Sequence, residues 1–205
     1  MLSLDHIVVV AETLKEGREF VEDTLGVRMQ SGGTHALMGT HNMLLGMEDG
    51  LYLEVISIDP DAVQPKRNRW FGLDAFKGSP RLTNWVSQSD ELSGDMQAVF
   101  GGNGSPVLLS RGDLTWEMSL IDEGQTPFDG LVPMMLNWGD GPKASDRLLA
   151  SGCRVSRLVL GHPDHSDLTA MLAGLVEDER VEIEISAAPK IIAVVQTPRG
   201  EVILK

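Results

Sequence analysis

The sequence predicts an α+β fold in which one order of elements, strand–helix–strand–strand–strand (βαβββ), is repeated along the chain. Short apolar runs rich in β-branched residues and bounded by Gly, Pro and Asp indicate the strands. Helix starts recur after Thr13, Ser89 and Asp164, about 75 residues apart, which indicates structural repetition. With 205 residues, 42% of them hydrophobic and 23% charged, the chain can bury a sizeable core as one large domain or two compact halves.

The first unit has the clearest local signals. Thr13, with Glu16 three residues later, forms a capping box, and Gly26 stands where a helix commonly ends. The Asp49-Gly50 step between two apolar runs predicts a hairpin turn. The strands of this unit are predicted at Leu4–Val10, Val27–Met38, Asn42–Met47 and Leu51–Ile58.

The same order recurs, with Ser89 and Asp164 as predicted helix caps. The later strands are predicted at Leu82–Ser87, Val107–Leu109, Leu114–Ile121, Val132–Trp138, Val155–Leu160, Val181–Ile185, Ile191–Val195 and Val202–Leu204. We therefore expect a domain over residues 1–145 made of two βαβββ modules, at about 1–60 and 80–140, and a third, shorter βαβββ-like module over 150–205.

Composition excludes several classes of function. A net charge of −13 works against nucleic-acid binding, which needs a basic face. No apolar run approaches the ~20 residues of a membrane span, and the N-terminal run Ile7–Ala11 is too short for a secretory signal. A single cysteine, Cys153, suits a reducing compartment, so we expect a cytoplasmic protein. The absence of a Gly-rich phosphate loop predicts no nucleotide cofactor.

His6 and Glu54 are the leading candidates for chemistry. The two-residue period of a strand places Leu4, His6 and Val8 on one face of the first strand, and Tyr52 and Glu54 on one face of the fourth. If both faces line one concave surface, the pair meets in an apolar cup, where it can bind a divalent metal or act as an acid–base couple. The alternative is that His6 is a core histidine and Glu54 its structural partner.

Several stretches follow one another in an order that covers nearly the whole chain. They are Leu4-Asp5-His6-Ile7-Val8-Val9, GGTHALMGTHN (Gly32–Asn42), Leu51-Tyr52-Leu53-Glu54-Val55-Ile56, RWFGLDAF (Arg69–Phe76), LVPMMLNWGDGPKAS (Leu131–Ser145) and TPRGEVIL (Thr197–Leu204). Together with the βαβββ layout, they resemble the vicinal oxygen chelate (VOC) superfamily and, more narrowly, bacterial glyoxalase-like domain proteins.

This resemblance implies a glyoxalase/bleomycin resistance/dioxygenase-like fold, whose paired modules form a curved mixed sheet with the ligand site inside the cup. In metal-dependent members the first strand of a module offers a His and the last strand a Glu. Those roles carry over to His6 and Glu54, as catalytic residues and as ligands of a divalent Zn, Fe, Mn or Ni ion.

The second module departs from that pattern. Asn84 stands near the place of its His, and the strand Leu131–Trp138 has no carboxylate. His6 and Glu54 alone are two ligands, fewer than a tight Zn or Fe site needs, unless His41, Glu117 or water completes the set.

Further side chains are candidates for binding a substrate, either as polar groups at strand starts or as large flat apolar walls. They are His41, Asn42, Trp70, Asn84, Trp116 and Trp138. The pair His162 and His165 indicates a helix start rather than a metal site. Two functions stay open: an enzyme of lyase, isomerase or dioxygenase type acting on a small, largely apolar oxygenated molecule, or a non-catalytic protein that sequesters such a compound. A homodimer is compatible with either function.

Overall fold

The computed structural model describes residues 1–205 and contains two β-sheets and three α-helices, which confirms the α+β fold class. The larger sheet is formed by β1 (Leu2–Val10), β2 (Gln30–His35), β3 (Thr40–Gly46), β4 (Tyr52–Ile58), β5 (Arg81–Ser89), β6 (Ser105–Arg111), β7 (Leu114–Leu120) and β8 (Met134–Asn137). The smaller sheet is formed by β9 (Arg154–His162), β10 (Val181–Ile185), β11 (Lys190–Thr197) and β12 (Gly200–Leu204). The helices are α1 (Leu14–Leu25), α2 (Leu92–Phe100) and α3 (His165–Leu172).

The ends of α1 and α2 follow from their capping residues. Thr13 Oγ1 accepts a hydrogen bond from Glu16 N at 3.2 Å, and Gly26 ends α1 in the left-handed region with φ 69°. The helix α2 begins later than its predicted cap, because Ser89 is the last residue of β5. Ser89 Oγ instead accepts from Glu91 N at 3.2 Å and donates to Asp95 Oδ2 at 2.7 Å, which fixes the turn into the helix.

The larger sheet is built from two modules that mirror each other. Its strand order is β2-β3-β4-β1-β5-β8-β7-β6, so the first strands of the two modules, β1 and β5, lie side by side in the centre. Each of them pairs in parallel with the last strand of its own module, and the two pair with each other antiparallel. The sheet curls until its edge strands β2 and β6 approach each other, which makes the concave face a closed cup.

Matching turns precede the last strand of each module. Asp49-Gly50-Leu51 leads into β4 and Asp129-Gly130-Leu131 leads towards β8. Both aspartates lie in the left-handed region, with φ 62° for Asp49 and 55° for Asp129. This conformation is uncommon for non-glycine residues but is tolerated best by Asn and Asp.

Residues 150–205 have the βαβββ order in sequence but a different pairing. The smaller sheet has the order β10-β9-β11-β12, so its first strand lies between the second and the third instead of beside the last. Its strand β9 contacts both matching turns: Arg154 pairs with Asp49 at 2.7 Å, and His162 Nε2 lies 3.3 Å from Asp129 Oδ2. The smaller sheet is therefore attached to both modules.

Two apolar cores lie on opposite faces of the larger sheet. The outer core includes Ile7, Trp85, the apolar faces of α1, α2 and α3, and the inward residues of the smaller sheet. The inner core fills the cup and includes Val8, Tyr52, Trp70, Trp116 and Trp138. No helix of the structure combines the length and the apolar character needed to cross a bilayer.

Candidate functional site

A bulge in β1 brings two neighbouring polar residues, Asp5 and His6, to the concave face of the sheet. Leu4 pairs with Ser87 of β5 and His6 with Val86, so Asp5 has no partner in the ladder. A bulge inserts one residue and re-aims the side chains around it. The expectation that Leu4 shares a face with His6 is therefore wrong, since Leu4 belongs to the outer core.

His6 lies between two carboxylates. Its Nδ1 is 2.7 Å from Asp5 Oδ1, and its Nε2 is 3.5 Å from Glu54 Oε2. The imidazole stacks on Tyr52, with ring centroids 4.3 Å apart and an interplanar angle of 18°. All four residues are buried, His6 being 3% and Glu54 5% exposed. The two residues predicted from the sequence are thus brought together, in a cluster that also contains Asp5.

Each carboxylate of this cluster accepts a second hydrogen bond. Trp138 Nε1 donates to Asp5 Oδ2 at 2.9 Å, and Asn42 Nδ2 donates to Glu54 Oε1 at 2.5 Å. Buried carboxylates are costly unless they are paired and hydrogen-bonded, and here both conditions are met. The charges at the bottom of the cup are therefore built into the fold.

Arg111, from the edge strand β6, reaches across the cup to the first module. Its Nη1 donates to Asn42 Oδ1 at 3.2 Å and lies 3.4 Å from His35 Nε2. No carboxylate lies within 4.0 Å of its guanidinium, so its charge has no direct counter-ion. This approach needs glycines in β2: a Cβ on Gly32 would overlap Asn42 Oδ1, and one on Gly33 would lie 2.7 Å from Arg111 Cδ.

The cluster moves the pKa values of His6 and Glu54 apart. Burial alone would lower the pKa of His6, but its contacts with Asp5 and Glu54 outweigh burial and raise that pKa. Burial would likewise raise the pKa of Glu54, but the hydrogen bond and charge of His6 lower it to about 2. At neutral pH the cluster therefore favours an imidazolium between two carboxylates.

His35 and Tyr52 are kept neutral in the same cup. Burial lowers the pKa of His35 to about 4, and the neighbouring Arg111 charge lowers it as well. Neutral His35 can then accept from Arg111 through Nε2 while Nδ1 lies 3.1 Å from Thr40 Oγ1. Burial raises the pKa of Tyr52 well above its usual value, and the charges of Asp5 and Glu54 raise it further.

The remaining space in the cup is small. It measures about 30 Å³, which admits water but not a small organic molecule. Four of the predicted ligand-binding residues line it: Asn42, Trp70, Trp116 and Trp138. The indole Nε1 of Trp70 is buried without a hydrogen-bond partner, so the wall offers one free donor.

Three other residues considered from the sequence lie elsewhere. His41 does not line the cup, because the alternation along β3 directs Asn42 and Leu44 inwards. Asn84 lines a separate groove, where its Nδ2 is 3.4 Å from Gly130 O. Glu117 is exposed on β7 and cannot complete a metal site in the cup.

Asp5, His35 and Arg111 are site residues that the sequence analysis missed. The one available signal was the polar pair Asp5-His6 inside an apolar strand, since strict alternation would direct one of the two into the outer core. His35 and Arg111 carry no local signal. They meet only because the two edges of the sheet approach each other.

A tightly bound divalent metal does not fit this donor set. Such ions need about four or more N, O or S ligands in proteins. The His and carboxylate side chains that line the cup are His6, His35 and Glu54, and no group of three or more His, Cys, Asp or Glu side chains is placed to hold an ion. The next polar neighbours, the Asn42 amide and the Arg111 guanidinium, present hydrogen-bond donors, which disfavour a cation.

Comparison with known proteins agrees with this architecture. A family model described as glyoxalase-like domain matches residues 4–176, which include both modules and the start of the third unit. The chain belongs to the glyoxalase-like domain family. The expected membership of the VOC superfamily is thereby confirmed. No functionally curated protein matches the chain.

Solved structures are similar to the chain at low sequence identity, and the first of them shows the same fold. A hypothetical protein from Staphylococcus aureus is 15% identical, with a TM-score of 0.66 over 98% of this chain and 92% of that chain. Methylmalonyl-CoA epimerase from Streptomyces coelicolor, in complex with 2-nitronate-propionyl-CoA, is 16% identical, with a TM-score of 0.46 over 70% of this chain and 99% of that chain. The epimerase from Mycobacterium tuberculosis is 14% identical, with a TM-score of 0.44 over 70% and 91%.

Proposed function

We propose that this glyoxalase-like protein is an enzyme of isomerase or lyase type, which transfers a proton on a small oxygenated molecule without a metal. His6 is its general acid and Glu54 its general base. The observation that carries the proposal is the buried Asp5–His6–Glu54 cluster in the wall of the cup. Two titratable groups whose surroundings push their pKa values apart are typical of acid–base sites.

The contact between His6 and Glu54 is where a ligand would insert. Its 3.5 Å length exceeds the ~2.7–2.9 Å of a strong charge-assisted hydrogen bond, so the pair is open to competition from a ligand oxygen. A ligand oxygen that accepts the Nε2 proton of His6 deprives Glu54 of its main partner. The pKa of Glu54 then rises from about 2 towards its ordinary value, which makes Glu54 a better base.

The proton balance of the proposed step is simple. Glu54 takes a proton from the carbon next to a carbonyl, and His6 gives its Nε2 proton to the carbonyl oxygen while Asp5 keeps the Nδ1 proton in place. Return of the proton to a neighbouring carbon completes an isomerisation, and loss of a leaving group completes an elimination. Arg111 is placed to stabilise negative charge that develops on the oxygen.

Hydrogen exchange with solvent tests this step without knowledge of the product. Small 2-oxo acids and α-hydroxyketones are incubated with the protein in D2O, and loss of the proton next to the carbonyl is followed by NMR. We expect catalysed exchange with the wild type and a loss of at least about 100-fold in Glu54→Gln. Glu117→Gln, the same change at an exposed position of β7, is the matched control.

Exchange that survives in Glu54→Gln would contradict the assignment of the base. Exchange that depends on added Zn, Mn or Ni would contradict the metal-free proposal. Both readouts are independent of the product, so they apply to isomerase and lyase chemistry alike.

A second function, the sequestration of a small apolar compound, is favoured by a different observation. Three of the four tryptophans line the cup, and Trp70 offers an unpaired indole N–H. A binding protein would show quenching of tryptophan fluorescence by its ligand together with no exchange in D2O.

We also propose that the protein works in the cytoplasm. The supporting observation is Cys153, which is fully buried and whose thiol pKa is raised by that burial. Such a thiol is inert and suits a compartment that does not form disulfides. Fractionation of cells that express the full gene would test the location.

A further inference from the structure

A groove of about 590 Å³ lies on the outside of the cup. It lies between the segment after β4, the turn before β8 and the strand β11 of the smaller sheet. A volume of this size accommodates a small organic molecule, whereas the ~30 Å³ inside the cup does not. A ligand that reaches the cup therefore needs additional space, and the adjacent groove provides it.

The groove carries positive charge in an acidic protein. Arg81 stacks on Phe76, with its guanidinium carbon 4.2 Å from the ring centroid, and it donates only to the carbonyls of Lys77 and Ser79. Lys190 also lines the groove but is paired with Glu184 at 2.8 Å. The one acidic side chain in the lining, Asp129, faces His162. Arg81 is thus a cation without a carboxylate partner, beside an aromatic wall, in a chain of net charge −13.

Three uncharged polar residues also line the groove: Thr83, Asn84 and Gln125. Thr83 Oγ1 is buried with no hydrogen-bond partner, and Asn84 Nδ2 makes one long contact of 3.4 Å to Gly130 O. A buried hydroxyl without a partner costs free energy that a bound ligand or water would recover. These groups suit the polar middle part of an otherwise apolar ligand.

Phe71 separates the groove from the cup, because its side chain lines both. Its backbone lies in the left-handed region with φ 57°, which is unfavourable for a residue with a bulky side chain. The backbone around it is held by a bond from Gly72 N to Gly124 O at 3.2 Å and by the pair between Arg69 and Asp74 at 2.5 Å. Phe71 is therefore a side chain shared by the walls of the two spaces, on a backbone that is fixed on both sides.

We propose that the groove binds a small amphipathic anion, with its apolar body against Phe76 and its anionic end at Arg81, and that Phe71 is the movable wall through which the other end reaches His6 and Glu54. The proposal that the groove binds an anion depends only on the residues that line the groove. The passage past Phe71 rests on the proposed function, because it gives the ligand of the cup its way in.

The first experiment measures binding in the groove with the fluorescent probe 8-anilinonaphthalene-1-sulfonate. We expect decanoate to displace the probe and uncharged decanol to displace it far less. Arg81→Gln should weaken probe binding about 10-fold, the equivalent of one charge-assisted contact. Arg67→Gln, the same change at an arginine outside the groove, should leave binding unchanged. Lys190→Gln provides a second variant in case Arg81→Gln unfolds.

Equal binding by the wild type, Arg81→Gln and Lys190→Gln would overturn the groove as an anion site, as would equal displacement by decanoate and decanol. Glu54→Gln should bind the probe as the wild type does. Failure of the groove and failure of the acid–base proposal are therefore distinguishable, because the first appears in probe binding and the second only in exchange with D2O.

The second experiment tests Phe71 as the partition. Acrylamide quenching reports access to the tryptophans, three of which line the cup. We expect Phe71→Ala to increase the quenching constant at least about twofold. Phe76→Ala removes the same ring from the groove but not from the cup wall, and it should leave quenching unchanged. Equal quenching in Phe71→Ala and the wild type, with both folded by circular dichroism, would overturn the passage past Phe71.

Discussion

The two modules of the larger sheet share one strand order, yet only the first contributes carboxylates and imidazoles to the cup. Val8 of β1 lies opposite Glu54 of β4, and Val86 of β5 lies opposite Met134 of β8. Met134 therefore occupies in the second module the place of Glu54. The count from the preceding turn agrees, because Glu54 and Met134 both stand four residues after the glycine of an Asp-Gly turn.

The same registration relates the other site residues. Two residues before Val8 and Val86 stand His6 and Asn84. The bulge residue of β1 is Asp5, and the residue left unpaired in β5 is Thr83, one position before Asn84. The module that has Asp5, His6 and Glu54 is thus matched by one that has Thr83, Asn84 and Met134.

This difference decides which chemistry the fold supports. A metal site shared by two modules needs donors from both, and the second module has replaced its donors with an amide and a thioether. An acid–base site needs one charged cluster and a group that stabilises developing charge. The second module supplies the latter through Arg111 and supplies apolar walls through Trp116 and Trp138.

The largest effect is expected when a glutamate is placed in the second module at the position that matches Glu54. This substitution tests whether the two modules differ in their ability to hold a buried carboxylate. Met134→Glu would place a carboxyl opposite Val86, in the inner core. We expect a loss of about 5 kcal/mol in the free energy of unfolding at pH 7, from lost packing and from neutralising the buried acid. Urea unfolding measures it, and Met134→Leu, with a loss below about 1.5 kcal/mol, is the control. A loss near 1 kcal/mol for Met134→Glu would show that the second module can hold a carboxylate.

His6→Asn makes the first module resemble the second. Without the imidazolium, Asp5 and Glu54 are two buried carboxylates that lack their shared cation. We expect unfolding at pH 7 to require about 3–5 kcal/mol less, because breaking a buried ion pair strands its partner. The loss should shrink at pH 4, where a carboxyl can take up a proton. A stable His6→Asn protein at pH 7 would mean that the cluster is not charged as described.

The dependence of stability on pH tests Glu54 itself. The pKa of Glu54 is lowered from 4.5 to about 2 in the folded protein, so its contribution is present above pH 4.5 and is lost as the pH falls towards 2. The pKa of His6 is raised from 6.5, so its contribution is present below pH 6.5 and is lost as the pH rises through its folded value. Glu54 should account for about 3 kcal/mol of the acid limb, an order-of-magnitude figure from its change in pKa.

Glu54→Gln should therefore flatten the stability curve between pH 4.5 and 2. At pH 7 we expect Glu54→Gln to lower the free energy of unfolding less than His6→Asn does, because Asp5 still pairs with the imidazolium of His6. If stability still falls steeply between pH 4.5 and 2 in Glu54→Gln, the group that titrates there is another carboxylate.

The sequence predicts the fold well because the helices, turns and strands of each module have clear local signals in the sequence. Capping at Thr13 and Gly26, the Asp49-Gly50 turn and the apolar alternation of the strands all agree with one architecture. Such local signals do not predict which strands of the smaller sheet pair with each other. The order of elements in residues 150–205 matches the modules, whereas β9 pairs with β10 and β11 instead of with the last strand, β12.

The candidate site could be predicted only in part, for the same reason. His6 and Glu54 follow from strand position and from the resemblance to the VOC superfamily. Asp5 depends on a bulge, which shifts the register by one residue and whose one trace in the sequence is the adjacent polar pair Asp5-His6. Arg111 depends on the approach of two sheet edges that lie about 80 residues apart in sequence. His41 was misplaced because the face of a strand cannot be chosen between two adjacent polar residues without the register.

The smallest predicted effect concerns the single charged side chain that the second module contributes to the cup. Gly33→Ala would place a Cβ 2.7 Å from Arg111 Cδ, and the flexible arginine would have to move away from Asn42 and His35. Arg111 is partly exposed, so we expect the free energy of unfolding to change by no more than about 1 kcal/mol.

The exchange rate in D2O should nevertheless fall about 10-fold, because removing a donor that stabilises an oxyanion commonly lowers the rate by ~10²–10³ and a displaced donor loses part of that. Gly94→Ala is the matched control, since a Cβ there meets nothing within 4 Å. An exchange rate in Gly33→Ala equal to that in Gly94→Ala would mean that the second module contributes only walls. The two modules would then differ more completely than the contacts of Arg111 indicate.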